Sequence, residues 1–237
     1  MHRYLTGCDL VFLEEEVFRE EIVQLFRLDA AKVQVLPVGV DVERMRGQVQ
    51  SSSLLRKHLG FSGEDRVLLT VNRLAADKGV DKVILALKII RQENPKIKLI
   101  IVGKGYQERE ILALIEANGL TEHVRIVQDV REQDLCGYYK ISDVYVCAFS
   151  YPGSSVSVLE AMAAGLPVVT SAQPWLVAGG NNGIFIPDNQ PFTIARAVLT
   201  LIKGDLESKG AVSLDIVKNY DWPIIARRAH NVYQRIC

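Results

Sequence analysis

At 237 residues, 49% of them hydrophobic, the chain has the length for one or two domains with a substantial core. Its 28 basic and 28 acidic residues balance without a run of like charge, which argues against binding nucleic acid by phosphate neutralisation. Cys8, Cys136, Cys147 and Cys237 form no C-x-x-C pair and the four histidines show no ligand spacing, so neither a disulfide frame nor a metal site is expected.

No apolar run approaches the ~20 residues of a transmembrane helix. Cys8 follows Leu5, Thr6 and Gly7 as in a lipoprotein cleavage box, but His2 and Arg3 leave no apolar leader before it. The cysteine usage fits the reduced thiols of a cytoplasmic protein, soluble or peripheral at a membrane.

In chain order, residues 9–13 predict a short buried strand. Residues 14–26, apolar at Val17, Phe18, Ile22, Val23, Leu25 and Phe26, predict a helix. A strand at 33–36 leads into Pro37-Val38-Gly39-Val40-Asp41. Residues 48–53 read as a loop and 54–59 as a short helix. From Arg66 onward the pattern is regular, with strands at 67–71, 97–102, 124–127, 144–147, 167–170 and 184–186. Helical segments fall at 80–91, 107–117, 155–164, 191–203 and 221–235. Strands alternating with helices predict an α/β fold, a Rossmann-like parallel sheet covered by helices on both faces. Ligands of such sheets bind beyond the carboxyl ends of the strands. Strands 9–13 and 33–36 need sheet neighbours, so an exposed apolar patch is expected beside them.

The stretch from Pro152 to Thr170 carries the densest signal. Gly153 and Ser154 open a turn, and Ser154 or Ser155 supplies an N-cap. A helix to Ala164 follows, ended by Gly165 at C′ and by Pro167, and then a buried strand. Such a helix start, fed by small residues, favours an anion through its free amides and dipole. Ser157 and Glu160 also match the S-x-x-E capping box, in which the glutamate folds back on the helix start. Gly103 and Gly105 form a G-x-G turn after a strand, but Glu108 replaces the third glycine of a dinucleotide fingerprint. Lys78 precedes a helix, where a cation opposes the dipole unless Asp77 or a bound anion relieves it.

Glu160-Ala161-Met162-Ala163-Ala164-Gly165-Leu166-Pro167-Val168-Val169 resembles the signature of retaining glycosyltransferases of the family 4, or group 1, type, which have the GT-B fold. Arg73-Leu74 with Lys78-Gly79-Val80 is similar to the family's G-R-L-x-x-x-K-G-V loop, and residues 37–41 to its P-N-G-V-D crossover. The resemblance spans residues 9–236 and implies little more than half of a typical member. On it, residues 1–44 are a remnant of an N-terminal acceptor domain and the crossover. Residues 45–220 form the nucleotide-sugar-binding domain, and residues 221–237 a helix packing back toward the missing part.

The activity implied is transfer of a sugar from a nucleoside-diphosphate donor to an acceptor hydroxyl with retention, without a cofactor or metal. Arg73 and Lys78 would clamp the diphosphate as the catalytic cations. Gly153, Ser155, Val156 and Ser157 would face the donor phosphate, Val130 and Arg131 the base, and Glu160 the ribose. The acceptor is unknown, and a partner chain supplying an N-terminal domain is expected. Pro152 stands where the family carries its first glutamate, and Ser171 to Trp175 occupy the place of a G-G-x-x-E loop. A non-catalytic nucleotide-binding or assembly module is therefore the alternative, and a dinucleotide enzyme using Gly103 and Gly105 a more distant one.

Overall fold

The computed structural model describes residues 5, 7–47, 52–150, 153 and 155–235. The elements begin with β1 (Val11–Leu13), α1 (Arg19–Phe26), β2 (Val33–Val35), α2 (Val42–Arg46) and α3 (Ser52–His58). There follow β3 (Arg66–Val71), α4 (Val80–Glu93), β4 (Ile97–Val102), α5 (Glu108–Ala117), β5 (Val124–Val127), α6 (Glu132–Lys140) and β6 (Val144–Cys147). The chain continues with α7 (Val156–Ala163), β7 (Val168–Thr170), β8 (Gly183–Phe185), α8 (Pro191–Ile202), α9 (Leu206–Val217) and α10 (Trp222–Tyr233).

Six strands pair in parallel in the order β5-β4-β3-β6-β7-β8. Their apolar runs follow from burial on both faces. Leu68, Leu99, Ile101, Val144 and Val146 join one core with α4, α5 and α8. Val67, Leu69, Ile100, Val102, Tyr145 and Cys147 alternate with them and join a second core with α2, α6 and α7. This is the layered α/β fold expected from the sequence. From β3 the chain steps outward through β4 to β5, then returns to the opposite side of β3 as β6. Strands that leave a common point in opposite directions open a crevice at their carboxyl ends.

Several expectations are corrected. β1 is half-buried along its length rather than buried, because its sheet is a parallel pair with β2 alone. Val17 and Leu25, near and on α1, stand exposed. The expected loop at 48–53 holds the start of α3 at Ser52, while residues 48–51 lie outside the described ones. Helices α2, α6 and α9 were not expected. α6 and α9 carry glycines, Gly137 and Gly210, that lower helix propensity. Gly210 is used for contact, since a Cβ there would stand 2.1 Å from the carbonyl oxygen of Gly165. Packing of α9 on α7 thus overrides propensity. Gly165 itself has φ +82°, the left-handed geometry expected of a helix end.

The crossover at residues 37–41 is joined to the start of α10. The Val40 amide donates to the Tyr220 carbonyl (2.9 Å), and the Trp222 amide donates to the Val40 carbonyl (3.1 Å). The Val42 amide donates to Asp221 Oδ1 (3.2 Å), and the Trp222 ring lies against Gly39, whose Cβ would be 2.6 Å from it.

Asp143 makes contacts of a structural kind. It lies just before β6, at the end of the sheet away from the crevice. It accepts from the Val67 amide (2.7 Å), Arg66 Nη1 (2.7 Å) and Arg56 Nη2 (3.3 Å). Asp143→Ala should lower unfolding stability by about 2 kcal/mol, because a buried amide and a half-buried guanidinium lose their acceptor. Urea denaturation checks this, and an unchanged midpoint would contradict it.

Candidate functional site

The loop after β3 is built against the loop after β4. The Leu74 amide donates to the Lys104 carbonyl (3.0 Å) and the Gln107 amide to the Leu74 carbonyl (3.1 Å). A Cβ at Gly103 would stand 1.9 Å from the Asn72 carbonyl oxygen, and one at Gly105 would stand 2.3 Å from that of Leu74. The G-x-G turn is therefore explained by close backbone packing, with no dinucleotide needed to account for its glycines. Asp129, with φ +51°, takes a left-handed conformation at the next loop and pairs with Lys104.

Val71, Asn72, Arg73, Gly103, Asp129 and Val130 line a cleft of about 410 Å³ at these strand ends. Arg73 is exposed. The cleft brings Arg73 and Val130 together. Arg131 is not among the residues that line it and pairs instead with Asp134, one turn into α6.

Lys78 stands at the β6 side. Gly79, with φ +62°, caps α4 and packs on Ala148, whose carbonyl oxygen a Cβ would meet at 1.9 Å. The Ser150 amide donates to the Asp77 carbonyl (2.9 Å), so this turn is fixed to the segment after β6. Lys78 Nζ is 3.2 Å from Asp77 Oδ2 and 4.1 Å from the centre of the Phe149 ring. These partners offset the unfavourable helix-dipole position. The hydrogen bond from Lys78 also lowers the Asp77 pKa.

α7 begins at Val156 with Ser155 as N-cap, although the Ser155 hydroxyl makes no capping bond to the helix. It lies 3.0 Å from Ser157 Oγ. The Ser155 amide donates to the side chain of Gln173 (3.1 Å), which is buried and held at φ +49°. This corrects the expectation that the Ser155 amide is free for an anion. The Val156 and Ser157 amides, at the first two helical positions, have no acceptor among the described residues. Gly153 is half-buried, while Pro152 and Ser154 lie outside the described residues.

The capping-box reading of Glu160 is overturned. Ser157 lies inside the first turn of α7, so it is not the N-cap. The Glu160 carboxylate points instead to side chains of two other helices. Tyr139 of α6 donates its hydroxyl to Oε2 (2.9 Å), and Arg44 of α2 donates Nη2 to Oε1 (3.2 Å). Burial raises the Glu160 pKa, while Tyr139 and Arg44 pull it back down.

Tyr145 of β6 links the two parts of the site. Its hydroxyl is 2.7 Å from Ser157 Oγ and 3.4 Å from the carbonyl oxygen of Val71, which lines the cleft. Cys147 lies beneath Ser155, and burial pushes its pKa up to about 12, so it is a thiol and not a nucleophile at neutral pH. Among the described residues, no cluster of histidine, cysteine, aspartate or glutamate has metal-binding geometry. No helix among them is long and apolar enough to cross a membrane. Arg44, Tyr139, Tyr145 and Gln173 were missed in the sequence, because no local motif marks them.

Residues 51–212 match the sequence model of the family described as Glycosyl transferases group 1. The D-inositol 3-phosphate glycosyltransferase of Corynebacterium jeikeium is 25% identical over 245 residues, covering 98% of this chain and 58% of that protein. A GDP-mannose-dependent alpha-(1-6)-phosphatidylinositol monomannoside mannosyltransferase of Mycobacterium tuberculosis is 28% identical over 85% of this chain and 54% of its own length. The chain thus spans well under two thirds of these relatives. The structure of Anabaena Alr3699/HepE in complex with UDP and glucose superposes with a TM-score of 0.87 at 21% identity, covering 99% of this chain and 66% of that one. That likeness is one of fold.

The raised Glu160 carboxyl gives a pH signature. Its stabilising contribution is fully present below the unfolded value of 4.5 and is lost as pH rises through the folded value. Relative to Glu160→Gln, the wild type should therefore gain stability as pH falls from neutral toward 4.5. Urea unfolding of both proteins at the two ends of that window checks it. A pH-independent difference would mean that the carboxyl is not raised.

Proposed function

The chain belongs to the glycosyl transferases group 1 family, and on that premise we propose that it is the donor-binding part of a retaining glycosyltransferase. Its donor would be a nucleoside-diphosphate sugar and its acceptor a hydroxyl group. The observation that carries this reading is the gathering of family-motif residues around one crevice. Arg73 lines the cleft at the ends of β3 to β5, and Lys78 is packed against the segment after β6. Tyr145 ties the first turn of α7 to the same edge.

In the reaction, the bond between the anomeric carbon and the diphosphate oxygen breaks. A bond to the acceptor oxygen forms on the same face of the sugar, and the acceptor hydroxyl passes its proton to the departing diphosphate oxygen. Negative charge grows on the departing diphosphate. Arg73 offers a planar fork to its oxygens, and Lys78 a point charge that turns from Asp77 toward the phosphate. That exchange costs little, because Lys78 and Asp77 are only partly buried, at 22% and 39% side-chain exposure. The Val156 and Ser157 amides add the positive end of α7. Val130, which lines the cleft, faces the base with Arg131 beside it, and Glu160 accepts from the ribose. With two cations and a helix end at the diphosphate, the transfer needs no cofactor or metal. An N-terminal domain on the same or another chain would bring the acceptor.

Pro152, standing where the family carries its first glutamate, favours a second reading: a module of the same fold that binds nucleotide without transferring sugar. A sugar-transfer assay, with and without candidate partner chains, separates the two.

A thermal-shift panel of UDP, GDP, ADP and NAD tests the donor site. At about 100 times its dissociation constant, one diphosphate should stabilise the protein by about 2.7 kcal/mol and leave Arg73→Ala unmoved. A shift with NAD alone, or with no ligand at all, would overturn the reading.

A further inference from the structure

Among the charged motif residues, Glu160 has the greatest burial and the most elaborate support. Its carboxylate has about four acceptor positions. One on Oε1 is taken by Arg44 and one on Oε2 by Tyr139, which leaves two open. Arg44 is held on its far side as well. Its Nη1 donates to Glu132 Oε1 (2.7 Å), so one guanidinium spans carboxylates of α6 and α7.

The helix that carries Arg44 is itself pinned. Asp41 caps α2 by accepting from the Arg44 amide (2.9 Å), and Asp221 accepts from the Val42 amide. Met45 of α2 is fully buried in the core that also contains Leu159 of α7. A side chain 116 residues away in sequence is thus delivered to Glu160 by a segment fixed at both ends.

We propose that Arg44 is a positioning residue of the nucleoside subsite, orienting the Glu160 carboxylate so that its two open acceptor positions meet the 2′- and 3′-hydroxyls of a ribose. The proposal rests on the ribose role assigned to Glu160 above. Bidentate acceptance of two vicinal hydroxyls demands a fixed carboxylate plane, and an unsupported glutamate near a helix start rotates freely. Arg44 and Tyr139, approaching different oxygens, fix that plane. Arg44 also favours the charged carboxylate, which accepts more strongly than the neutral acid. The titratable and charged groups facing Glu160 are Arg44 of α2, Glu132 and Tyr139 of α6, and Tyr145 of β6.

The experiment measures calorimetric affinity for UDP and GDP, and for the 2′,3′-dideoxy form of whichever binds. Arg44→Met should weaken the ribose form by about tenfold and leave the dideoxy form unchanged. Without the cation, the Glu160 pKa rises further, so the variant's loss of ribose affinity on acidification should begin at higher pH than in the wild type. Arg44→Lys should recover part of the loss and move that pH profile back. Equal weakening of both forms would overturn the proposal and reduce Arg44 to a packing role. Tighter binding by Arg44→Met would also overturn it, by making Arg44 an obstruction.

If Arg44→Met fails to fold, Glu132→Ala, which removes the exposed outer carboxylate, should give a smaller loss of about twofold, again confined to the ribose form. Equal effects on both forms would overturn the proposal there too. A wild-type protein that binds neither UDP nor GDP would remove the donor-site reading itself. Binding of both forms equally by the wild type would remove only the ribose role of Glu160 and the proposal resting on it.

Discussion

The site depends on the pairing of β3 with β6, whose register partners Leu68 and Val144 stand 76 residues apart and are joined only through the β4–β5 excursion. A sheet buried on both faces must satisfy its backbone groups internally, which leaves only its ends for chemistry. Where β3 and β6 meet, the chain on either side turns away in opposite directions, so their following loops cannot fill the space between them. The Arg73–Lys78 loop comes from one strand and the start of α7 from the other. Gly79 on Ala148 closes the distance between them as no other residue can, since the position combines a left-handed backbone with a carbonyl at contact.

Charge along this edge is arranged by local compensation. Lys78 would be ill placed before α4 on its own, yet Asp77 and the Phe149 ring hold it there. Glu160 would be ill placed in a nearly buried pocket, yet Tyr139 and Arg44 share its two oxygens. The two groups differ in burial, and so in consequence. The lysine pair is open enough for a ligand to replace Asp77 at small cost, whereas removing a partner of Glu160 strands a charge in a medium that solvates it poorly.

The crossover and the final helix act at a distance on this site. The Val40 and Asp221 contacts join residues on opposite sides of the sheet domain in sequence, and they anchor α2 with Arg44 on it. A segment that sequence resemblance assigns to the junction with another domain therefore also reaches the glutamate of the main motif. The half-buried β1, tied to α10 through Phe12 and Tyr233 and paired with β2, extends the same seam.

The sequence by itself determined the alternation of strands and helices, the Gly165 helix stop and the family to which the chain belongs. Those features are written locally, in apolar periodicity, in turn residues and in contiguous motifs. It left α6 and α9 unrecognised, because Gly137 and Gly210 weaken a signal that tertiary packing then overrides. It also made Ser157 and Glu160 look like a capping box. Only the tertiary structure decided that Ser157 lies within the helix and that Glu160 faces Arg44 and Tyr139. Those partners stand 116 and 21 residues away, on helices whose approach is set by sheet order and by the Val40–Asp221 junction, and no spacing rule along the chain encodes such a distance.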